Sequence, residues 1–287
     1  MEAFVLPFQP LIIIGAARSG TKLLRDLIAQ HPAIDRVPYD VNYIWRMGNE
    51  AQPDDALSPA TLTDEMRQTI YDQLARFHDH APILVEKTVS NCLRVDFVNA
   101  LFPTAKFLHL TRDGVDVVES VYRQWNAPVD WRYLVRKART FPLRQAPRYA
   151  LSYTAGLVKR LRTDDHSQLA IWGPHYPGME ADLAQQDVLE VIAKQWAICV
   201  QSATAALDQL DPTRVISIRY EAFVETPLEH LQRIAHWLDV EAIYHQVTDL
   251  TTISADNVGK GHARLAVEQL NQILPIIHSV RNESVHV

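Results

Sequence analysis

Leu11-Ile-Ile-Ile-Gly-Ala-Ala-Arg-Ser-Gly-Thr-Lys-Leu-Leu24 decides the fold. Four branched apolar residues predict a buried strand over Leu11–Gly15, and the periodic pattern after Gly20 predicts a helix over Thr21–Gln30. Between them lies a loop bracketed by Gly15 and Gly20, which lets the backbone turn tightly and approach a ligand. A strand that feeds such a loop into a helix N-terminus builds a cradle for an anion, because the first-turn N–H groups have no partner inside the helix. The strand-loop-helix order indicates an α/β chain.

The spacing of Gly15 and Gly20 matches the P-loop of nucleoside-triphosphate enzymes, but the ending does not. A P-loop continues Gly-Lys-Ser/Thr. Here Gly20 is followed by Thr21 and Lys22, and Arg18 sits inside the loop. The cradle therefore fits a phosphate-like group better than the triphosphate and magnesium of a kinase. A P-loop kinase or other nucleotide phosphotransferase stays as the alternative enzyme.

Working outward, short apolar segments alternate with helical patterns. Strands are expected at Ile83–Glu86, Lys106–Thr111 and Arg214–Arg219, and helices near Asn91–Leu101, Asp113–Trp125, Asp187–Leu210, Pro227–Leu238 and Leu265–Leu274. Thr226 is expected to cap the Pro227 helix, and Pro275 to end the last one. The pattern predicts a single-domain three-layer α/β/α architecture over residues 1–287, with a central, mostly parallel sheet. About residues 126–186 form a helical, basic insertion on the acceptor side. From Trp131 to Thr163 this insertion holds nine Lys or Arg and no Asp or Glu. It reads either as a solvated helix face or as a lid drawing in an anion. In the lid reading, reversing Arg132, Arg136 and Arg139 raises the acceptor KM in a salt-sensitive way.

Of the 287 residues 47% are hydrophobic and 22% charged, the balance of a globular enzyme with a sizeable core, and the net charge is −6. That charge argues against a nucleic-acid partner recognised through bulk charge. The two cysteines, Cys92 and Cys199, lack metal-ligand spacing and read as buried thiols of a reduced, cytoplasmic protein. The first residues show neither a basic signal region nor a span long enough to cross a bilayer. The twelve histidines have no metal-binding spacing, so no metal is expected; His109, inside an apolar strand, reads as a core residue.

A second constellation lies at Lys106-Phe-Leu-His-Leu-Thr-Arg112-Asp-Gly-Val-Asp-Val-Val-Glu-Ser120. Arg112 ends a buried strand where ligands of open α/β sheets bind, and Ser120 lies two turns into the next helix. A held guanidinium beside a hydroxyl suits a phosphate monoester.

Together, Arg18-Ser-Gly-Thr and the pair Arg112/Ser120 resemble the two cofactor signatures of sulfotransferases that use 3′-phosphoadenosine 5′-phosphosulfate (PAPS). The loop is similar to the arginine-type loop of the tyrosylprotein and bacterial branch. Glu86-Lys87-Thr88, Arg219-Tyr-Glu-Ala-Phe-Val224 and the stretch Ser254–Gly261 resemble further family segments, so the likeness spans about residues 10–275. It implies a P-loop-like sulfotransferase fold, PAPS as donor, 3′-phosphoadenosine 5′-phosphate (PAP) as product, and no metal. It assigns the 5′-phosphosulfate to Arg18, Ser19, Gly20, Thr21 and Lys22, and the 3′-phosphate to Arg112 and Ser120. Tyr220, Ser254, Gly259 and Lys260 complete the cofactor site, and Arg18, Lys22 and Lys87 supply cations at the transferred group. The histidine base of aryl sulfotransferases would fall at Val89, so the base lies elsewhere. By likeness to the carboxylate-using branches Asp40 is the first choice and Glu86 the second. Asp40 also suits a turn or helix cap, and Glu86 a structural pair with Lys87 or Arg94. The acceptor is a hydroxyl or amine of a small molecule or glycan. A homo-oligomer stays open, as does a PAP-binding module without activity.

Overall fold

The computed structural model describes residues 6–125, 173–240 and 253–283. Five strands form one sheet: β1 (Gln9–Ile14), β2 (Ile34–Arg36), β3 (Ile83–Glu86), β4 (Lys106–Thr111) and β5 (Val215–Arg219). Their order is β2-β3-β1-β4-β5, and every pairing is parallel. Each strand is therefore reached by a crossover, and all five C-terminal ends open on one edge. Ile12 lies opposite Glu86, and Ile14 opposite His109. The loop after β1 thus emerges between the ends of β3 and β4, at the point where ligands of open sheets bind.

The two faces follow the period of two along each strand. Leu11, Ile13, Val85, Leu108, Leu110, Ile216 and Ile218 pack beneath α1 (Thr21–Ile28), α8 (Tyr220–Glu225) and α9 (Pro227–Leu238). Ile12, Ile14, Leu84 and Phe107 face the opposite layer, formed by α4 (Val95–Leu101), α5 (Gly114–Trp125), α7 (Val188–Leu207) and α11 (Val267–Glu283). Near-continuous apolar runs are what a sheet covered on both faces requires. The three-layer α/β/α architecture read from the sequence is the one observed. The smaller helices α2 (Asn42–Trp45), α3 (Asp64–Ala75), α6 (Met179–Gln185) and α10 (Lys260–Arg264) fill the edges.

β3 and β4 fall where the pattern placed them, as does α9. Asp113 and Asp187 lie just outside their helices as caps: Asp113 Oδ1 accepts from the N–H groups of Val115 and Asp116, and Asp187 Oδ1 from Leu189 N–H. Thr226 takes the N-cap position expected of it, with Pro227 first in the helix, but its side chain makes no cap bond and its hydroxyl turns back to Ala222 O of α8. Pro275 does not end α11, which runs on to Glu283. Ile277 and Val280, next along the helix, are buried in the core and keep the helix going past the missing N–H. The helix expected near Asn91–Leu101 begins as a 3₁₀ turn, Val89–Leu93.

Both cysteines are buried and unbridged. His109 is buried too, and burial lowers its pKa to about 4, so it is neutral core furniture. Most of the expected basic insertion, including Arg132, Arg136 and Arg139, lies outside the described residues; its end carries α6.

Candidate active site

The loop after β1 is tied by one internal bond. Ser19 N–H donates to Ala16 O at 3.2 Å, which turns that group inward and leaves the first-turn N–H groups of α1 for an anion. Gly20 has φ +87°, and a Cβ there would stand 2.5 Å from the Tyr220 ring, so only glycine fits. Arg18 is left-handed as well, at φ +65°, a conformation that costs a non-glycine residue about 1–3 kcal/mol. The strain has a consequence: the side chain turns toward α5, where Arg18 Nε donates to Ser120 Oγ at 3.0 Å.

That contact joins the two constellations singled out in the sequence. Arg112 adds a second tie by donating through Nη1 to Arg18 O at 2.8 Å and through Nη2 to Asn257 O at 2.6 Å. Its guanidinium lies 4.5 Å above the Tyr220 ring, so Tyr220 supports both Gly20 and Arg112. Arg112 Nε is buried and has no partner among the described residues. The strand end and the first loop thus share one wall of a cleft.

Along that cleft Arg18, Arg112, Arg123, Lys260 and Arg264 face two carboxylates, Asp116 and Glu119. Neither carboxylate is left bare. Asp116 accepts the backbone N–H groups of Gly259 at 2.8 Å and Gly261 at 2.7 Å, latching the C-terminal segment to α5. Gly261 is required for this approach, since a Cβ would meet Val115 O at 2.5 Å. Glu119 accepts from Arg123 Nε and from Arg264 Nη1, each at 3.1 Å. Five cations against two occupied carboxylates leave an excess of positive charge suited to a dianion. Burial, with repulsion from Arg123 and Arg112, lowers the Arg18 pKa, and Glu119 partly offsets this. The orphaned Arg112 Nε and this excess charge both fit a bound phosphate.

The other expected residues divide sharply. Lys87 and Asp40 come together, with Lys87 Nζ donating to Asp40 Oδ1 at 2.6 Å. The ammonium is buried, whereas the carboxylate side chain is 44% exposed and open to an incoming group. Glu86 is only 2% exposed, and both its oxygens are taken, by Thr88 Oγ1 and Asn91 Nδ2. Burial, with help from the nearby Asp40 charge, pushes its pKa up to about 7 against the Thr88 bond and Lys87. It has no open path to an acceptor, unlike Asp40. Lys22 points away from the cleft, exposed and 3.7 Å from Asp26. Ser254 caps a short 3₁₀ turn by accepting Asp256 N–H. Thr21 and Ser120 are buried at the cleft, Lys260 lines it, and Gly259 contributes through its backbone.

Sequence reading missed Asp116, Glu119, Arg123 and Arg264. The first three were within reach, because positions 112, 116, 119, 120 and 123 repeat at three and four and share one helix face. Arg264 carried no such signal and arrives only through the Asp116 latch.

The comparisons agree with this geometry. The family model described as the sulfotransferase family matches residues 10–186 and 167–244. Human protein-tyrosine sulfotransferase 1 is 32% identical over 125 residues, 39% of this chain and 34% of that protein. A putative protein-tyrosine sulfotransferase of Caenorhabditis briggsae is 22% identical over 263 residues, 81% of this chain and 89% of its own. The match to an uncharacterized Aquifex aeolicus protein spans 40% of this chain and 17% of that one, so the chain spans about a third or less of these first relatives apart from the nematode protein. Among solved structures, the sulfotransferase domain from the curacin biosynthetic pathway superposes with a TM-score of 0.54 at 17% identity, covering 96% of this chain and 98% of its own. Mouse sulfotransferase SULT7A1, solved with PAP, gives 0.51 at 14% identity, covering 98% and 87%. With more than half its length matched by the family model, and with the loop, the Arg112/Ser120 pair and the parallel sheet in place, this chain belongs to the sulfotransferase family.

Proposed function

We propose that the chain transfers a sulfuryl group from PAPS to a hydroxyl or amine acceptor. The observation that carries this reading is the Arg18–Ser120 contact, which fuses a loop suited to one phosphate and a strand-end pair suited to another into a single cleft. A donor with a phosphosulfate at one end and a 3′-phosphate at the other matches two such halves. PAP bound to mouse SULT7A1 supports the same nucleotide here.

When bound, PAPS supplies an activated sulfuryl group and leaves as PAP. The first-turn N–H groups of α1 hold the phosphosulfate end. Arg112, Ser120 and Lys260 hold the 3′-phosphate, and the spare N–H groups of Arg18 span the two. Transfer spreads negative charge over the moving oxygens and the leaving phosphate, so the residues work mainly by position and fixed positive charge. Lys87 stands at the neighbouring strand end as the buried cation, while Asp40, open to solvent, takes the proton that an acceptor hydroxyl gives up. The Glu86 carboxyl and the Lys22 ammonium drop out of direct contact, and Lys22 keeps its backbone N–H for the anion. The named relatives support testing a tyrosyl peptide beside small molecules and glycans as acceptor.

Thermal unfolding with PAP, and separately with ATP plus magnesium, tests the reading, since a ligand bound only by the folded state raises Tm. PAP is expected to stabilise the protein by several degrees. Stabilisation by ATP plus magnesium with indifference to PAP would favour a phosphotransferase and sink the proposal. Radiolabelled PAPS added to a native extract then identifies the acceptor.

A further inference from the structure

Behind Asp40 and Lys87 lies a set of buried polar side chains that the transfer reaction does not use directly. Arg94 is fully buried at the start of α4. It donates through Nε to Asn91 Oδ1 at 2.9 Å and through Nη2 to Asn42 Oδ1 at 2.5 Å. Each asparagine passes the contact on. Asn91 Nδ2 donates to Glu86 Oε2 at 2.9 Å, and Asn42 Nδ2 donates to Asp55 Oδ1 at 3.0 Å. One guanidinium is thereby shared between two carboxylates through two amides.

From Glu86 the chain of contacts returns to its start. Thr88 Oγ1 donates to Glu86 Oε1 and accepts Val41 N–H at 3.0 Å. Val41 follows Asp40, and Thr88 follows Lys87, which holds Asp40. The path Asp40–Lys87–Thr88–Glu86–Asn91–Arg94–Asn42–Val41–Asp40 is therefore a closed ring, partly covalent and partly hydrogen-bonded. It grips three successive residues: Asp40 by its carboxylate, Val41 by its backbone and Asn42 by its side chain. Asp55 braces the far side through Arg46, Ser90 and His175 N–H.

The donor order in the ring can run only one way. Arg94 has donors alone, so both asparagines must turn their oxygens to it and their nitrogens away. The Thr88 hydroxyl accepts Val41 N–H and gives its single proton to Glu86. In its carboxylate form, the one held above a pH of about 7, Glu86 then accepts on both sides. A neutral amide cannot do so without setting donor against donor or turning the buried Thr88 proton away unpaired, and a buried polar group left unpaired costs about 1–3 kcal/mol.

We propose that Glu86 and Arg94 are positioning residues, which close this ring and thereby hold Asp40 against Lys87 for the transfer step. The proposal rests on the roles given to Asp40 and Lys87 above. It reassigns Glu86, a candidate base on sequence grounds, to work through Thr88 and Asn91 instead of on the acceptor.

The test uses the full chain, with PAPS as donor and an acidic tyrosyl peptide as probe acceptor. Glu86→Gln is expected to lower kcat by about 10- to 100-fold, the scale of a misplaced catalytic group, while PAP affinity stays within about twofold. The double variant Glu86→Gln with Asn91→Asp moves the negative charge one step along the ring. The introduced amide nitrogen donates to the introduced carboxylate, which still accepts from Arg94, so each contact around the ring again pairs a donor with an acceptor. Its kcat is expected to return to within a few-fold of wild type, which a base at Glu86 would forbid. Hydrogen exchange at Val41 N–H should follow the same course: protected, then fast, then protected. Wild-type kcat and a protected Val41 in Glu86→Gln would overturn the proposal. So would a double variant that regains protection yet stays as slow as the single one. If neither variant folds, exchange in the wild type decides, since a Val41 amide as labile as an exposed loop refutes the ring. Failure of the wild type to bind PAP or turn over PAPS strikes instead at the sulfotransfer reading, and leaves the exchange result to judge the ring.

Discussion

The cleft between β1 and α5 and the ring behind β3 are both built from arginines and carboxylates, but they hold their charges in opposite ways. At the cleft rim the cations reach toward solvent: Arg123 and Arg264 are 58% and 44% exposed and share one acceptor, Glu119. In the ring Glu86 and Arg94 are at most 2% exposed and are bridged by Asn91. Exposed pairs exchange partners cheaply and are worth about 0–1 kcal/mol, which suits a site that must release its counter-ions to take up a nucleotide. Buried charges are costly to disturb, which suits a frame that must stay in place while the chemistry proceeds. Burial shows in the titration: the Arg94 pKa is lowered to about 10 by desolvation, against the pull of Asp55 and Glu86.

The sharpest way to break this contrast is at the chemical tip of the ring. Asp40→Asn should lower kcat by about 10²–10⁴-fold, as expected for a lost general base, and leave PAP affinity intact. Steady-state rates with calorimetric PAP titration check both halves. Next comes the hinge of the cleft. Arg112→Ala removes the bonds to Arg18 O and Asn257 O together with a charged phosphate donor. PAP should bind about 10- to 100-fold more weakly by calorimetry, the scale of hydrogen bonds to a charged group. At the cleft rim, Arg123→Gln or Arg264→Gln should weaken PAP only about two- to fivefold, and the difference should fade at 1 M salt, where screening is nearly complete.

The smallest effect is a pH signature of the ring. The Glu86 carboxyl has a pKa of about 7 when folded, above its ordinary 4.5, so between these values the folded state holds the extra proton. Its contribution to stability is therefore present at low pH and is lost as pH rises through about 7. Across that window the Tm of Glu86→Gln should gain on the wild type as pH increases. His109 works in the reverse sense, since its folded pKa of about 4 lies below its ordinary 6.5, but it is present in both proteins and cancels in the difference. A Tm difference independent of pH would refute the assignment.

How much of this was legible in the sequence depends on distance along the chain. β3, β4 and α9 were placed to the residue because their apolar runs and bounding Pro, Gly and charged residues are local signals. β2, at three residues, is too short to show a period. α3 could have been found from Thr63, which caps Met66 N–H, and from the buried positions Met66, Ile70 and Leu74. Pro275 misled because local propensity says stop, while buried Ile277 and Val280 outweigh one missing bond.

The amino-acid sequence by itself determined the strand-loop-helix cradle, the Arg112/Ser120 pair and the parallel α/β frame. Each is written in contiguous residues whose spacing matches a backbone period. Only the tertiary structure decided what those parts do together. It turned Arg18 toward Ser120, sent Lys22 outward, gave Asp116 to the Gly259–Gly261 backbone, and buried Glu86 while leaving Asp40 open. The physical reason is that burial and donor order are properties of neighbours, and for Arg18, Asp40 and Asp116 the deciding neighbours lie far along the chain. Two carboxylates that look alike in the sequence become different groups once one is enclosed by Thr88 and Asn91 and the other meets solvent beside Lys87.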